Sequence, residues 1–170
     1  MKSALLTISI SVLALLVWAN YPESSLPSNI TIEKLVVVKH QRIMSAYSNG
    51  GIVKQYQVSL GRSPVGQKMQ EGDRKTPEGI FSIDYKKEKS CCYRALHISY
   101  PDQRAINRAK SLGVEPGGLV MVHGLSRGFG WLGKLHRFVD WTYGCVAVTN
   151  YEMEELYNSV QEGTLIEIQP

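Results

Sequence analysis

Apolar positions along the chain fall into three regimes: a nearly unbroken run from Ala4 to Ala19, alternating or short β-branched runs from Ile32 to Leu60, and brief apolar stretches separated by turns beyond Gly79. The middle regime predicts strands at Leu35–Val38, Ile43–Tyr47 and Ile52–Leu60. Asn49-Gly50-Gly51 between the last two tolerates positive φ and predicts a tight hairpin. Gly61 to Gly79 is polar and broken by proline, with Glu71, Asp73, Arg74 and Lys75 clustered, and predicts a long surface loop of the kind that carries function. Further strands are expected at Ile80–Ile83, Ala95–Tyr100, Leu119–His123, Cys145–Val148 and Leu165–Ile168. Ala105, Ile106 and Ala109 at helical spacing before Gly113 predict a short helix over Gln103–Leu112. A second helix is expected to start at Thr149 or Asn150, with Glu152 completing a capping box and Met153, Leu156, Tyr157 and Val160 forming its apolar stripe up to Gly163.

The N-terminal run stands apart from this pattern. Lys2 precedes about fifteen apolar residues, long for the core of a signal peptide and short for a membrane span of roughly twenty. Val17 and Ala19 suit a cut after Ala19, so residues 1–19 are expected to be a cleaved export signal, with a retained inner-membrane anchor as the alternative. No cysteine stands near the cut, which disfavours a lipid-modified terminus. Residues 20–31 then form a short linker and 32–170 one domain, working outside the cytoplasm in the periplasm or cell envelope, where thiols meet an oxidising milieu.

Composition narrows the class without changing it. The 170 residues are 44% hydrophobic and 20% charged, which suits one globular core. The net charge of +4 is not gathered into a basic run, so a nucleic-acid partner is not expected. Three cysteines, two of them adjacent, draw neither a disulfide framework nor a four-cysteine zinc site.

The candidate chemistry lies at two strand ends. Cys145 follows Gly144, and His123 closes its own apolar strand before Gly124. A thiol becomes a strong nucleophile when a nearby imidazole takes its proton. Gly144, lacking Cβ, lets the chain turn so that its amide and that of Cys145 form an oxyanion hole. The second nitrogen of His123 needs an acceptor, either a carbonyl of the Gly124–Ser126 turn, the favoured choice, or Asp140.

Val122-His123-Gly124 followed by Thr142-Tyr143-Gly144-Cys145-Val146 resembles the signature of the L,D-transpeptidase catalytic domain, or YkuD, family. The stretch Glu71–Gly79, Pro116-Gly117-Gly118 and Gly163–Ile168 are similar to flanking features of that family, so the likeness covers about Leu35 to Ile168. It implies a mainly β, sandwich-like single domain with two or three short helices. The implied activity is a cysteine-dependent transfer on peptidoglycan stem peptides, for cell wall cross-linking or remodelling. Cys145 is the implied nucleophile, attacking the bond after the L-centre of meso-diaminopimelate and expelling the terminal D-alanine. His123 serves as base and then acid, Gly144 and Cys145 supply amides, and Gly124, Thr142 and Tyr143 line the substrate; by their residue types Arg127 is a further candidate there or else solvated surface, and Tyr100 either faces the substrate or anchors the core. The thioester is resolved by an amine of another stem or of a wall-linked protein, or by water. No metal or cofactor is implied, and a monomer is expected. The commonest signature has histidine and arginine where this chain has Tyr143 and Ala147. Losing the arginine removes a natural fork for a substrate carboxylate and keeps an L,D-carboxypeptidase or amidase outcome open. A wall-binding module with a dispensable thiol is the non-enzymatic alternative.

Plainer roles are expected elsewhere. His97 reads as packed and hydrogen-bonded, and His136 in its basic loop as solvated surface. A zinc site from His123, His136 and Asp140 lacks the usual ligand spacing. Arg62, Arg74 and Arg127 are candidates for a substrate carboxylate, and Trp131 for the polymer. Cys91 and Cys92 read as reduced thiols or as partners of another molecule, since a bond between neighbours needs strained geometry.

Overall fold

A computed structural model gives the fold, and it describes residues 2–27 and 29–170; Met1 of the expected leader and Ser28 of the expected linker lie outside the described residues. Eight strands form one sheet in the order β3-β2-β1-β8-β4-β5-β6-β7. They are β1 (Ile32–Val38), β2 (Ile43–Ser48), β3 (Gly51–Gln57), β4 (Gly79–Ser90), β5 (Tyr93–Ile98), β6 (Met121–His123), β7 (Val146–Ala147) and β8 (Val160–Gln169). Neighbouring pairs are antiparallel except β1 with β8 and β6 with β7. Three α-helices are described, α1 (Lys2–Asn20), α2 (Gln103–Leu112) and α3 (Asn150–Ser159), together with short 3-10 segments at Lys39–Gln41 and Gly130–Phe138.

The sheet curls because β4 changes partners along its length. Gly79–Ser82 pairs with β8, and Ile83–Ser90 pairs with β5, so one long strand carries the chain round a corner. The residues after β3 then reach across to the opposite edge, where Ser59 and Ala147 exchange both backbone hydrogen bonds at 3.0 and 2.8 Å. Gly61 bridges Thr142 beside them. Leu35, Met44, Tyr56, Leu60, Leu96, Val122, Met153 and Ile166 fill the interior almost without exposure.

The β2–β3 turn forms as its residues predict, with Asn49 at φ 50° and Gly50 at φ 74°. Helix α2 has the expected bounds; the Asp102 carboxylate accepts from the Ala105 amide and Gly113 closes the helix at φ 68°. Helix α3 ends earlier than the stripe predicts. Val160 takes extended backbone and pairs with Ile32 at the start of β8, since a fully buried β-branched residue suits a strand. Strand β4 runs past the predicted Ile83 through Lys87, Glu88 and Lys89, whose exposed charges hide it from a hydrophobicity pattern. The loop before β4 is ordered by Asp73, which accepts from the amides of Met69, Gln70 and Lys75 and from Lys68 Nζ.

The capping box of α3 is complete: Thr149 Oγ1 accepts from the Glu152 amide, and the Glu152 carboxylate accepts from the Thr149 amide at 2.9 Å. Thr149→Ala is expected to cost about 1–2 kcal/mol and to lower the thermal midpoint by roughly 2–4 °C for each kcal/mol. Calorimetry on both proteins checks it, and an unchanged midpoint contradicts the cap's role.

From residue 7 onward helix α1 is largely exposed, with Ile8, Leu13 and Val17 each at about 60%. Its last turn docks on the 3-10 segment Gly130–Phe138. Ala19 is buried there, and the Asn20 side-chain amide donates to the Trp131 carbonyl at 2.8 Å. Gly133 has φ 47°, and a Cβ on it would fall 2.2 Å from the Ala19 carbonyl oxygen, so that contact requires glycine. Among the described residues no helix is long and apolar enough to cross a membrane.

Candidate active site

Strands β6 and β7 bring the two candidate catalytic side chains together. Val122 pairs with Val146 and His123 with Ala147 in parallel, which sets Cys145, just before β7, beside Met121. Side chains alternate along a strand, so Cys145 and His123 share one face as diagonal neighbours, with Cα atoms about 8 Å apart by strand spacing and rise. Cys145 Sγ points along the Leu119 carbonyl at 3.7 Å. Leu119 presents that carbonyl from left-handed backbone at φ 54°, directly after the Pro116-Gly117-Gly118 turn.

His123 is 6% exposed, and its Nδ1 lies 2.7 Å from the Gly124 carbonyl oxygen. A carbonyl only accepts, so Nδ1 carries the proton and Nε2 is the basic nitrogen of the neutral ring. The favoured acceptor is therefore the one used. Asp140 is engaged elsewhere, accepting from the Leu60 amide at 2.9 Å and pairing with Arg42. Trp141 meets the His123 ring edge-on at 5.6 Å between centroids.

Burial holds both groups neutral. It pushes the Cys145 thiol above its usual pKa, against a smaller opposite pull from the Met121 amide. It pushes the His123 imidazole below its usual value, against the opposing bond to Gly124. Burial thus favours the neutral form of each group.

Thr142 shapes the nucleophile loop. Its hydroxyl donates to the Cys145 carbonyl at 2.8 Å and accepts from the Gly144 amide at 3.2 Å. The Gly144 amide, one of the two expected oxyanion donors, thus has the Thr142 hydroxyl as its partner in this loop. Gly144 is nonetheless obligatory: it has φ 128°, and a Cβ would come within 2.7 Å of the Lys75 carbonyl oxygen.

Cys145 opens into a cavity of about 310 Å³ lined by Lys68, Glu71, Gly117, Leu119 and Tyr143. Tyr143 is 70% exposed, with the Arg62 and Arg74 guanidiniums 5.2 and 5.8 Å from its ring centre. Gly124 contributes its carbonyl to His123 and is buried, while Arg127 is exposed on the adjoining turn. Tyr100 does not reach the cleft. It is 4% exposed, packs edge-on against Phe81, and donates its hydroxyl to the Pro116 carbonyl, so it props the cavity wall from behind. Trp131 belongs to the α1-docking segment and is exposed.

His97 is packed as expected, with Nδ1 2.6 Å from Asp84 and its ring stacked on Tyr85. His136 is not solvated surface. It is 4% exposed, with Ser59 Oγ 2.9 Å from Nδ1, and burial drives its pKa down to about 3. Lys68, Glu71 and Leu119 are site residues that sequence reasoning missed. Lys68 is a buried lysine paired with Asp73 at 2.8 Å, and only the Asp73-centred turn chemistry around it could have hinted at this.

A family model described as the L,D-transpeptidase catalytic domain (YkuD) matches residues 33–168. YafK of Escherichia coli (strain K12), which carries an L,D-transpeptidase name, is 29% identical over 140 residues, covering 79% of this chain and 49% of YafK. The chain thus spans about half the length of the curated relatives it matches. Among solved structures, the helical cell shape determining protein Pgp2 of Campylobacter jejuni superposes with a TM-score of 0.61 at 23% identity, over 91% of this chain and 53% of Pgp2. Bd1075 of Bdellovibrio bacteriovorus gives 0.56 at 22% identity, over 88% and 52%. An L,D-transpeptidase of Mycobacterium smegmatis gives 0.54 at 16% identity, over 82% and 59%. These likenesses share the fold.

Proposed function

This chain belongs to the L,D-transpeptidase catalytic domain family, and from that premise we propose that it is an exported cysteine acyltransferase acting on peptidoglycan stem peptides in the cell envelope. What supports the reading is the β6–β7 register, which makes Cys145, just before β7, a diagonal neighbour of His123, together with the cavity at Cys145 and the bond of His123 Nδ1 to Gly124.

The chemistry follows from two neutral groups. Cys145 turns its Sγ–H from the Leu119 carbonyl to His123 Nε2, which takes the proton as sulfur attacks the carbonyl carbon of the stem peptide. The Cys145 amide donates to the developing oxyanion. His123 then gives its proton to the departing amine, and a thioester remains on Cys145. An incoming amine closes the cycle as a transpeptidase and water closes it as a hydrolase. Ala147 gives hydrolysis a specific foothold. It is fully buried with both backbone groups bonded to Ser59, so no cationic fork stands there to hold a donor carboxylate.

Incubation with purified sacculi followed by mass spectrometry of the released muropeptides tests the reading. New cross-linked dimers are expected for transfer, shortened monomers for hydrolysis, and released peptide adducts for amidase action on a wall-linked protein. An unchanged muropeptide profile with correctly folded protein overturns it.

A further inference from the structure

Outside the acylating pair the molecule holds a second thiol site, at the tip of the β4–β5 hairpin. Cys91 and Cys92 occupy the turn, Cys91 exposed and Cys92 half-buried, with their Sγ atoms 3.4 Å apart. Each sulfur has a hydroxyl beside it: Ser90 Oγ lies 3.9 Å from Cys91 Sγ, and Ser126 Oγ lies 3.7 Å from Cys92 Sγ. The turn is fastened to the loop that follows His123. The Arg127 amide donates to the Cys91 carbonyl at 3.0 Å, and the Gly124 amide donates to the Arg94 carbonyl at 3.2 Å. Gly124 is pressed so closely on the turn that a Cβ there would lie 3.0 Å from Tyr93 Cβ and 3.3 Å from the Cys92 carbonyl oxygen. The same Gly124 supplies the carbonyl that fixes His123 Nδ1.

We propose that Cys91 and Cys92 form a reversible vicinal disulfide, a dithiol switch whose closure disturbs Gly124 and so detunes His123. The two thiols are chemically unequal in the way such a pair requires. The Cys92 S–H bond lowers the pKa of Cys91, while burial raises that of Cys92 to about 11. Cys91 is therefore the entering nucleophile and Cys92 the closing one. The oxidant is a soluble disulfide, RSSR. Cys91 thiolate attacks one of its sulfurs, the S–S bond breaks, and one RS⁻ leaves. Cys92 then loses its proton to solvent and attacks Cys91 Sγ, the mixed disulfide breaks, and the second RS⁻ leaves. The protein pair has given up two electrons, and RSSR has become two thiols. A bond between chain neighbours is strained and exposed, which makes it readily reducible and suits a switch rather than a staple.

The detuning step rests on the acyl-enzyme reading above; the disulfide does not, and the test separates them. The full chain and its Cys145→Ala variant are equilibrated in oxidised and reduced glutathione buffers. Thiols are then counted, the peptide Ser90–Arg94 released by trypsin is weighed, and the His123 ring nitrogens are followed by NMR. In oxidising buffer the three thiols are expected to fall to one in wild type and the remaining two to none in Cys145→Ala. The peptide is expected to weigh about 2 Da less, as loss of two hydrogens requires. The His123 signals should move, and a carbapenem should acylate the closed form on the order of tenfold more slowly, with recovery in reductant. Cys91→Ser should stay reduced and keep its acylation rate in every buffer, and Cys92→Ser should stop at a glutathione adduct on Cys91. A wild-type protein that also stops at that adduct, links to a second chain, or joins either thiol to Cys145 overturns the proposal. So does a closed disulfide with unmoved His123 signals. Closure with moved signals but no acylation of the reduced protein counts against the acyl-enzyme reading alone.

Discussion

Cys145→Ala is expected to lose all covalent uptake of a carbapenem and at least about a thousandfold in turnover of stem peptides, since it removes the thiol that stands beside His123 and the cavity. Intact mass after incubation at neutral pH reads the first, and single-turnover muropeptide analysis reads the second. Removing Sγ deletes only weak sulfur contacts, to the Leu119 carbonyl at 3.7 Å and to the Met121 amide, from a half-buried side chain, so the unfolding midpoint should barely move. A variant that still gains the mass places the nucleophile elsewhere, and peptide mapping would then decide between Cys91 and Cys92. Retained turnover without any adduct removes covalent catalysis from the reading altogether.

His123→Gln should keep the fold and slow acylation by about a hundred- to ten-thousandfold, the usual worth of a placed general base. Its pH profile separates base from scaffold. In wild type His123 must be neutral to accept the proton, and burial lowers its pKa below the ordinary imidazole value. Activity is therefore present above that lowered pKa and lost only as pH falls through it, so the acid limb should sit below about 6.5. The thiol is pushed up by burial, so its own ionisation should not contribute across neutral pH, where the wild-type rate should be flat. Without the imidazole, reaction waits on spontaneous thiolate. The rate of His123→Gln should climb about tenfold per pH unit toward a limit above the ordinary cysteine value. Parallel profiles for the two proteins, with the wild-type acid limb also near the ordinary cysteine value, would make His123 a packing residue rather than the base.

What the sequence discloses depends on how local the cause is. The Asn49-Gly50 turn, the Asp102 cap with Gly113, and the Thr149–Glu152 capping box are each written within a few residues, and each forms where those residues stand. Cys145 and His123 stand out as candidates too, because a glycine-flanked cysteine and a histidine ending an apolar strand suit known chemistry. The parts that stay hidden are made by distant segments meeting. Ser59 pairing with Ala147 joins positions 88 apart, and nothing in either stretch announces the other. Burial of His136 follows from that closure, since Ser59 Oγ lies on its ring, whereas its neighbours Lys134 and Arg137 make the stretch look solvated. Tyr100 stays undecided in the sequence for a related reason: its hydroxyl reaches the Pro116 carbonyl across a fold contact that a linear pattern cannot contain, and that contact makes it a core anchor. The occupied Gly144 amide depends on the rotamer of Thr142, two residues away, which no spacing rule specifies.

The double hold of the Thr142 hydroxyl has a consequence for how the protein can vary. One side chain sets the curvature of the loop that bears the sulfur before any ligand arrives, so docking need not spend binding energy on ordering that loop. The cavity walls come from other parts of the chain, around Lys68–Glu71 and Gly117–Leu119. On the proposed chemistry, selectivity and reactivity are housed in separate stretches, so substitutions at the walls should change which stem is preferred while the loop bearing the sulfur keeps its shape.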